Sequence, residues 1–365
     1  ELYDTKKNKV LWSDRWQERW ANLTSIQGNL SDGLLKALNT KSKDTKKVDT
    51  NNTEAYEYYL RAKYQYDKRA NMVDAETARG LLEKAIELDD NLLIAKQLLG
   101  RSYRETGDLD KAMDIFKQNL KQSKGLFNKS DEGNSLKSIG LIYSNKGDYS
   151  KAIKHYNKSL EIIKELGDNR SEGYLLGNIG IILRKKGKYH NALDYFNQAK
   201  NICIELDDKR GVGLSSNVIG NIYVQIGQLE NALEHYLIAL DIFEKRRDML
   251  SISGVLGNIG GIYRENGNLD KSIDYYKRSL HIKEEISDKH GIGHSLVGLG
   301  NIYSDQGNYD KAIEYYNKAL MIRKKLGDAR SLAHSLNRIV ICNWNNNDYD
   351  ESINILKESQ ALQKE

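Results

Sequence analysis

The sequence of 365 residues contains no proline. At the usual share of about 5%, a chain of this length would carry roughly 18. The absence excludes polyproline recognition segments, cis-proline turns and collagen-like stretches. Nothing stops a helix by ring geometry, so helices are free to run long. Cysteine is nearly missing too. Cys203 and Cys342 lie far apart and in no CxxC or Cys/His cluster, which excludes a disulfide scaffold and a zinc module. Long apolar runs are also lacking: the longest, Leu175 to Leu183, is broken by Gly177, Asn178 and Gly180 and falls far short of a membrane span. Neither sign of charge dominates, with 56 basic and 51 acidic residues mixed along the chain. A pI of 8.8 without a basic stripe speaks against nucleic acid as a partner. The hydrophobic set amounts to 39%, less than one large core would want. It suits a repeat array, in which each unit buries a thin stripe against its neighbours. The chain opens on Glu1, without methionine or a signal-like segment, and reads as a piece of a longer protein expected in the cytoplasm.

What is present is a period. Gly100, Gly140, Gly180, Gly220, Gly260 and Gly300 recur every 40 residues, and Val340 takes the next slot. Gly107, Gly147, Gly187, Gly227, Gly267 and Gly307 follow seven residues behind, with Asn347 next. Five residues later stands a small residue: Ala112, Ala152, Ala192, Ala232, Ser272, Ala312 and Ser352. Four further on stands a bulky one: Phe116, Tyr156, Phe196, Tyr236, Tyr276, Tyr316 and Leu356. Chance does not keep four series in step.

Each series has a physical reading. Leu176, Ile179, Gly180 and Leu183 recur at three- and four-residue steps, the signature of one helix face. A glycine on that face costs about 1 kcal/mol against alanine, tolerable where another helix must come close. Gly187 sits where a left-handed turn ends the first helix, and Asp148, Asn268 and Asn308 are N-cap candidates for the second. Each unit is thus expected to be a helix, a turn and an antiparallel helix.

These residues resemble the tetratricopeptide repeat family. Its pattern is approximated by Leu136, Gly140, Tyr143, Gly147, Tyr149, Ala152, Tyr156 and Ser159, and met again by Gly300, Tyr303, Gly307, Tyr309, Ala312, Tyr316 and Ala319. The family's proline after the second helix is absent from every copy. That helix instead runs on about two turns to Gly167-Asp168, Asp207-Asp208, Arg247-Asp248, Ser287-Asp288 and Gly327-Asp328, which explains 40 residues per unit. Lengthened units of this kind resemble those of Leu-Gly-Asn-repeat scaffolds and of arrays fused to bacterial signalling enzymes; Leu176-Gly177-Asn178 and Leu256-Gly257-Asn258 reproduce that tripeptide. Ala78, Leu82, Ala85 and Ile86 match the second helix of a first repeat, from about Thr53 to Asp90, with seven more to follow. The resemblance implies an all-α fold, a right-handed α-solenoid of about eight helical hairpins spanning 53–365.

Before Thr53 the period is absent. Leu2-Tyr3 and Val10-Leu11-Trp12 read as a short β-hairpin, and Ile26, Leu30, Leu34, Leu35 and Leu38 fit one helix. Residues 40–52 read as a polar linker. The run Leu11-Trp12-Ser13-Asp14-Arg15-Trp16, then Leu23 and Ile26-Gln27, resembles the segment that closes a small α/β domain related to the TolB N-terminal region. In large bacterial proteins that domain lies between a class III nucleotide cyclase domain and tetratricopeptide repeats. On that resemblance residues 1–39 are the C-terminal piece of an upstream α/β domain. The alternative is that Trp12, Trp16 and Trp20 form an apolar helix face or pack on the first repeat.

No catalytic constellation stands out. HExxH, GxSxG and GxxxxGK[ST] are all missing. Gly211-Val212-Gly213 and Gly291-Ile292-Gly293 recur at a repeat boundary without a preceding strand and read as turn glycines. His290 and His294 stand four apart, but Gly291 and Gly293 between them suggest that they straddle a helix start, so no metal and no cofactor is expected. What remains is a surface. In the resembled family the first helices line an inner wall, and the matching slots here hold Asn217, Asn221, Gln225, Arg264, Glu265, Asn301, Asp305, Asn337 and Trp344, with Arg184 and Lys185 earlier. Amides both donate to and accept from a peptide main chain, and guanidinium groups fork onto carboxylates. The family's Lys/Asn carboxylate clamp is not reproduced, because Leu141 follows Lys137 four residues on. The expectation is a non-catalytic scaffold that binds a protein or peptide partner in this groove, with neither nucleic acid nor membrane insertion. Substituting Asn221, Arg264 and Asn301 together is expected to abolish capture and leave melting unchanged. The alternatives are a regulatory arm of a nucleotide cyclase and a module that self-associates into a homo-oligomer.

Overall fold

The structure is a computed structural model that describes residues 2–4, 9–12, 50, 52–69 and 72–362. The helix expected from Ile26 and the run Ser13 to Gln27 lie outside the described residues, as does the expected linker apart from Thr50 and Asn52. Strands β1 (Leu2–Asp4) and β2 (Lys9–Trp12) pair antiparallel as the expected hairpin, with Tyr3 opposite Val10.

Sixteen helices follow among the described residues: α1 (Thr53–Lys68), α2 (Met72–Leu88), α3 (Leu93–Glu105), α4 (Leu109–Gly125), α5 (Lys129–Asn145), α6 (Tyr149–Glu165), α7 (Asn169–Lys185) and α8 (Tyr189–Glu205), then α9 (Lys209–Gln225), α10 (Leu229–Arg246), α11 (Met249–Glu265), α12 (Leu269–Glu285), α13 (Lys289–Asp305), α14 (Tyr309–Leu326), α15 (Ala329–Asn345) and α16 (Tyr349–Leu362). They pair in chain order into eight antiparallel hairpins, the repeat architecture of an α-solenoid. By compactness the chain divides into two units, Glu1–Leu175 and Leu176–Glu365, the division falling within α7.

The 40-residue period is a period of backbone devices. Within each of six hairpins a glycine lets the second helix close in: the missing side chain of Gly140 is replaced by the ring of Tyr156, and that of Gly300 by Tyr316. The turn residue adopts a left-handed conformation at Gly147 (φ 79°) and Gly307 (φ 72°), and Asn347 does the same in the last hairpin (φ 64°). Asp148, Asn268 and Asn308 cap the following helices, accepting from the main-chain N–H of Lys151, Lys271 and Lys311 at 3.1, 3.2 and 3.2 Å. Between hairpins the residue before each aspartate turns left-handed, at Gly167, Asp207, Arg247, Ser287 and Gly327. The aspartate then caps the next first helix, as Asp248 does for Ser251 N–H at 3.2 Å and Asp328 for Ser331 N–H at 3.1 Å. One dipeptide thus ends a unit and starts the next.

Packing follows from these devices. In the first unit Ala55, Ala62, Leu82, Ala85, Leu92 and Ala95 form one buried cluster, and Ala112, Phe116, Ile139 and Ile142 another. In the second unit Ala232, Tyr236, Phe243, Leu256 and Ile259 interlock α10 with α11, and Ala312, Tyr316, Ala319 and Ile339 interlock α14 with α15. Second helices pack on the first helix of their own hairpin and on that of the next, as α2 and α4 do in the first unit and α10, α12 and α14 in the second. The expectation that Gly211, Gly213, Gly291 and Gly293 occupy turns is corrected, because all four lie inside the first turns of α9 and α13. They are small because second helices cross there: a β-carbon on Gly213 would meet the Phe243 ring of its own hairpin's second helix at 2.9 Å, and one on Gly291 would meet Lys283 Cδ of the preceding second helix at 2.8 Å.

Candidate functional site

In the unit Leu176–Glu365 the first helices α9, α11 and α13 lie side by side, and polar side chains cross-link the row. Asn258 Nδ2 on α11 donates to Asn217 Oδ1 on α9 at 3.0 Å. Arg264 on α11 forks onto Asp305 on α13, Nε to Oδ2 at 2.5 Å and Nη2 to Oδ1 at 3.2 Å. Cys342 on α15 sits 3.7 Å from Ser304 Oγ on α13. The sequence assigned Asn217, Arg264 and Asp305 to this surface without foreseeing that they bond to neighbouring repeats.

Asn221 and Asn301 follow the close-contact glycines by one residue. There the phenol of the intruding tyrosine finds them: Tyr236 donates to Asn221 Oδ1 at 2.7 Å and Tyr316 to Asn301 Oδ1 at 2.8 Å. Burial pushes both phenols up, Tyr236 with help from Glu265, so each hydroxyl stays protonated and able to donate. These bonds correct the expectation that Asn221, Arg264 and Asn301 could be replaced together with no change in melting, since all three hold partners within the fold. Asn217, Asn221 and Asn301 therefore share one arrangement. Each carbonyl is engaged by the protein, while no described residue accepts from the Nδ2 group.

The other expected residues are placed less uniformly. Gln225 at the end of α9, Glu265 at the end of α11 and Asn337 on α15 are exposed. Arg184 and Lys185 close α7; Arg184 is half-buried with its Nε lacking a partner, and Lys185 is exposed. Trp344, in the last turn of α15, is half-exposed and meets the Tyr349 ring edge-on at 4.9 Å. His290 and His294 do not straddle the helix start. Both lie within α13, which begins at Lys289 behind the Asp288 cap. Among the described residues no three of His, Cys, Asp and Glu gather as a metal site, and no helix is long and apolar enough to cross a membrane.

Two cavities were not foreseen. One, of about 640 Å³ in the unit Glu1–Leu175, is lined by Tyr59, Tyr66, Arg101, Lys137, Arg170 and Tyr174 among others. Two of its lining residues, Tyr66 and Arg101, donate to Glu105, which also receives a bond from Arg69. Burial works to raise the Glu105 carboxyl, but the donors outweigh it and hold the group below the usual range. The Tyr66 phenol is pushed up to about 12, by burial first and then by its bond to Glu105. The other cavity, of about 550 Å³ in the unit Leu176–Glu365, lies between α11 and α13 over α12, with Lys283 and His294 in its lining. A signal for it did exist in the sequence. Lys283 and Arg323 stand at the register where earlier repeats carry Ile163, Cys203 and Phe243.

A tetratricopeptide repeat family model matches residues 91–165, 171–245, 251–325 and 292–365. No curated protein matches the chain. Among solved structures the chain is similar to the apo form of the quorum sensor NprR from B. thuringiensis, with 15% identity over 94% of this chain and 96% of that one and a TM-score of 0.70. It is similar to a Rap protein complexed with competence and sporulation factor, at 16% identity over 85% and 98% of the two chains, TM-score 0.55. A signal transduction ATPase with numerous domains and a tetratricopeptide repeat sensor, from Pyrococcus horikoshii, is similar at 19% identity over 80% of this chain, TM-score 0.61; the chain spans 44% of that protein. At such identities the likeness is one of fold.

Proposed function

The chain belongs to the tetratricopeptide repeat family, and on that premise we propose that it is a non-catalytic interaction module that holds an extended peptide of a partner protein against the first helices α9, α11 and α13. The observation that carries this reading is the state of three amides. Asn217 and Asn221 on α9 and Asn301 on α13 have their carbonyl oxygens committed to Asn258, Tyr236 and Tyr316, which fixes each side chain and keeps its N–H donors for something else. A row of oriented donors complements the carbonyls of an extended strand. A helix, whose carbonyls are spent internally, answers it less well. The fold shared with a Rap protein in complex with competence and sporulation factor supports the reading.

Replacing all three with aspartate tests it, because aspartate keeps an acceptor oxygen for each donor and removes the N–H groups. The full chain is panned against a displayed library of random decapeptides, and affinities of selected peptides are read by fluorescence polarisation. The Asn217→Asp/Asn221→Asp/Asn301→Asp variant should lose those peptides while keeping its helical circular dichroism. Unchanged affinity would refute the reading. A second reading, a regulatory arm of a nucleotide cyclase or another signalling enzyme, is favoured by the resemblance of the Leu11 to Gln27 segment. An upstream coding sequence without a catalytic domain would remove it.

A further inference from the structure

Lys283, near the end of α12, is buried with 8% of its surface exposed. Its ammonium makes one hydrogen bond, to Ser295 Oγ on α13 at 3.1 Å, and no carboxylate lies within ion-pair distance among the described residues. An ammonium carries three donors, and a buried charge ordinarily has a counter-charge in contact. Arg323 occupies the same register one repeat later, and there the protein itself supplies two acceptors. Its Nη1 donates to the Ser331 carbonyl at 2.8 Å and to Ser335 Oγ at 2.6 Å. Lys283 faces the cavity of about 550 Å³ instead, whose lining includes Ser253, Asn258, Asp288 and His294.

The cavity exists because of two glycines. Gly254 and Gly257 stand where the preceding hairpin carries Leu214 and Asn217. A β-carbon on Gly254 would meet nothing within 4 Å, and one on Gly257 would lie 3.9 Å from Lys283 Nζ. Space for ligand atoms therefore opens directly onto the ammonium. It does so beside Asn258, which is bonded to Asn217 of the donor row.

We propose that this cavity anchors one carboxylate side chain, aspartate or glutamate, of the bound peptide, held by the Lys283 ammonium. This rests on the peptide-binding reading and gives it a substrate class, a peptide with an acidic residue at one fixed position. A single negative charge matches a single ammonium. A phosphate dianion would bring a second charge against Asp288, and burial first, then Arg323, Lys283 and His290 disfavour a positive charge on His294 that could balance it.

The decapeptide selection on the full chain decides the matter. Selected peptides should share an acidic residue at a fixed position. Changing that residue to its amide should weaken binding about tenfold, Lys283→Met should do the same, and the two changes together should cost no more than one. Gly254→Leu, which restores the bulk present at Leu214 and leaves the ammonium in place, should also abolish the acidic preference. Circular dichroism confirms that each variant is folded. Peptides without a fixed acidic residue, or a preference that survives Lys283→Met, would overturn the anchor and leave the donor row standing. Inorganic phosphate displacing the peptide more effectively than N-acetylglutamate amide would overturn the carboxylate assignment. A wild-type chain that retains no peptide would overturn both readings together.

Discussion

Gly220 and Tyr236 share a space that no β-carbon could enter: one built on Gly220 would lie 2.6 Å from Tyr236 Cε1. The pair joins the two helices of a hairpin, and it recurs as Gly100 with Phe116, Gly180 with Phe196 and Gly260 with Tyr276. The last hairpin replaces it with Val340 and Leu356, a larger residue on the first helix matched by a smaller one on the second.

Gly220→Ala should therefore lower stability by about 1–3 kcal/mol through overpacking, since the ring is fixed on both sides. Combined with Tyr236→Leu, the loss should be smaller than the sum of the two single losses. Chemical denaturation of the three variants measures this, and strict additivity would contradict the shared contact.

The bond from Tyr316 to Asn301 should show as coupling. A double-mutant cycle with Tyr316→Phe and Asn301→Leu is expected to give about 0.5–1.5 kcal/mol, the net worth of one hydrogen bond. A coupling near zero would mean that the asparagine is free of the tyrosine.

Arg247 adopts φ 55° with its side chain intact. A left-handed L-residue costs roughly 1–2 kcal/mol, and glycine returns part of that relief through its freer unfolded chain. Arg247→Gly should raise stability by about 0.5–1 kcal/mol in thermal or denaturant unfolding. A loss would show that Arg247 makes contacts worth more than the strain.

Acidification should weaken the second unit. His294 is held below the ordinary histidine value of 6.5 by burial and by Arg323, Lys283 and His290, with Asp288 opposing; His235 and His334 are depressed as well, burial first. When the folded pKa lies below the unfolded one, the unfolded chain binds more protons between the two. Stability is thus full above pH 6.5 and falls as the pH drops through that value towards the folded one. His294→Gln should flatten the melting temperature against pH below neutrality, and an unchanged slope would place the titration elsewhere.

The local devices were legible in the sequence because each is enforced by its own residues. A left-handed turn wants Gly147 or Gly307, a helix start wants Asp148 or Asn308, and a helix that must be approached closely wants Gly140 or Gly300. Repeating those choices every 40 residues determined the hairpin, its length and the number of hairpins. The face of polar first-helix residues followed from the same register.

What the side chains on that face touch was decided only by tertiary structure. Asn221 looks like a free amide until the fold brings Tyr236 against it, fifteen residues away, and Arg264 looks free until Asp305 arrives from the next hairpin. Lys283 stands in the sequence at a register that earlier repeats fill with Ile163, Cys203 and Phe243, which marks it as out of step but not what surrounds it. The fold buries it with one hydrogen bond, to Ser295 of the next first helix, and opens a cavity beside it through Gly254 and Gly257 of the first helix of its own hairpin. A periodic sequence dictates what each unit repeats. Contacts between units depend on residues that break the period, and their consequences exist only once the hairpins are stacked.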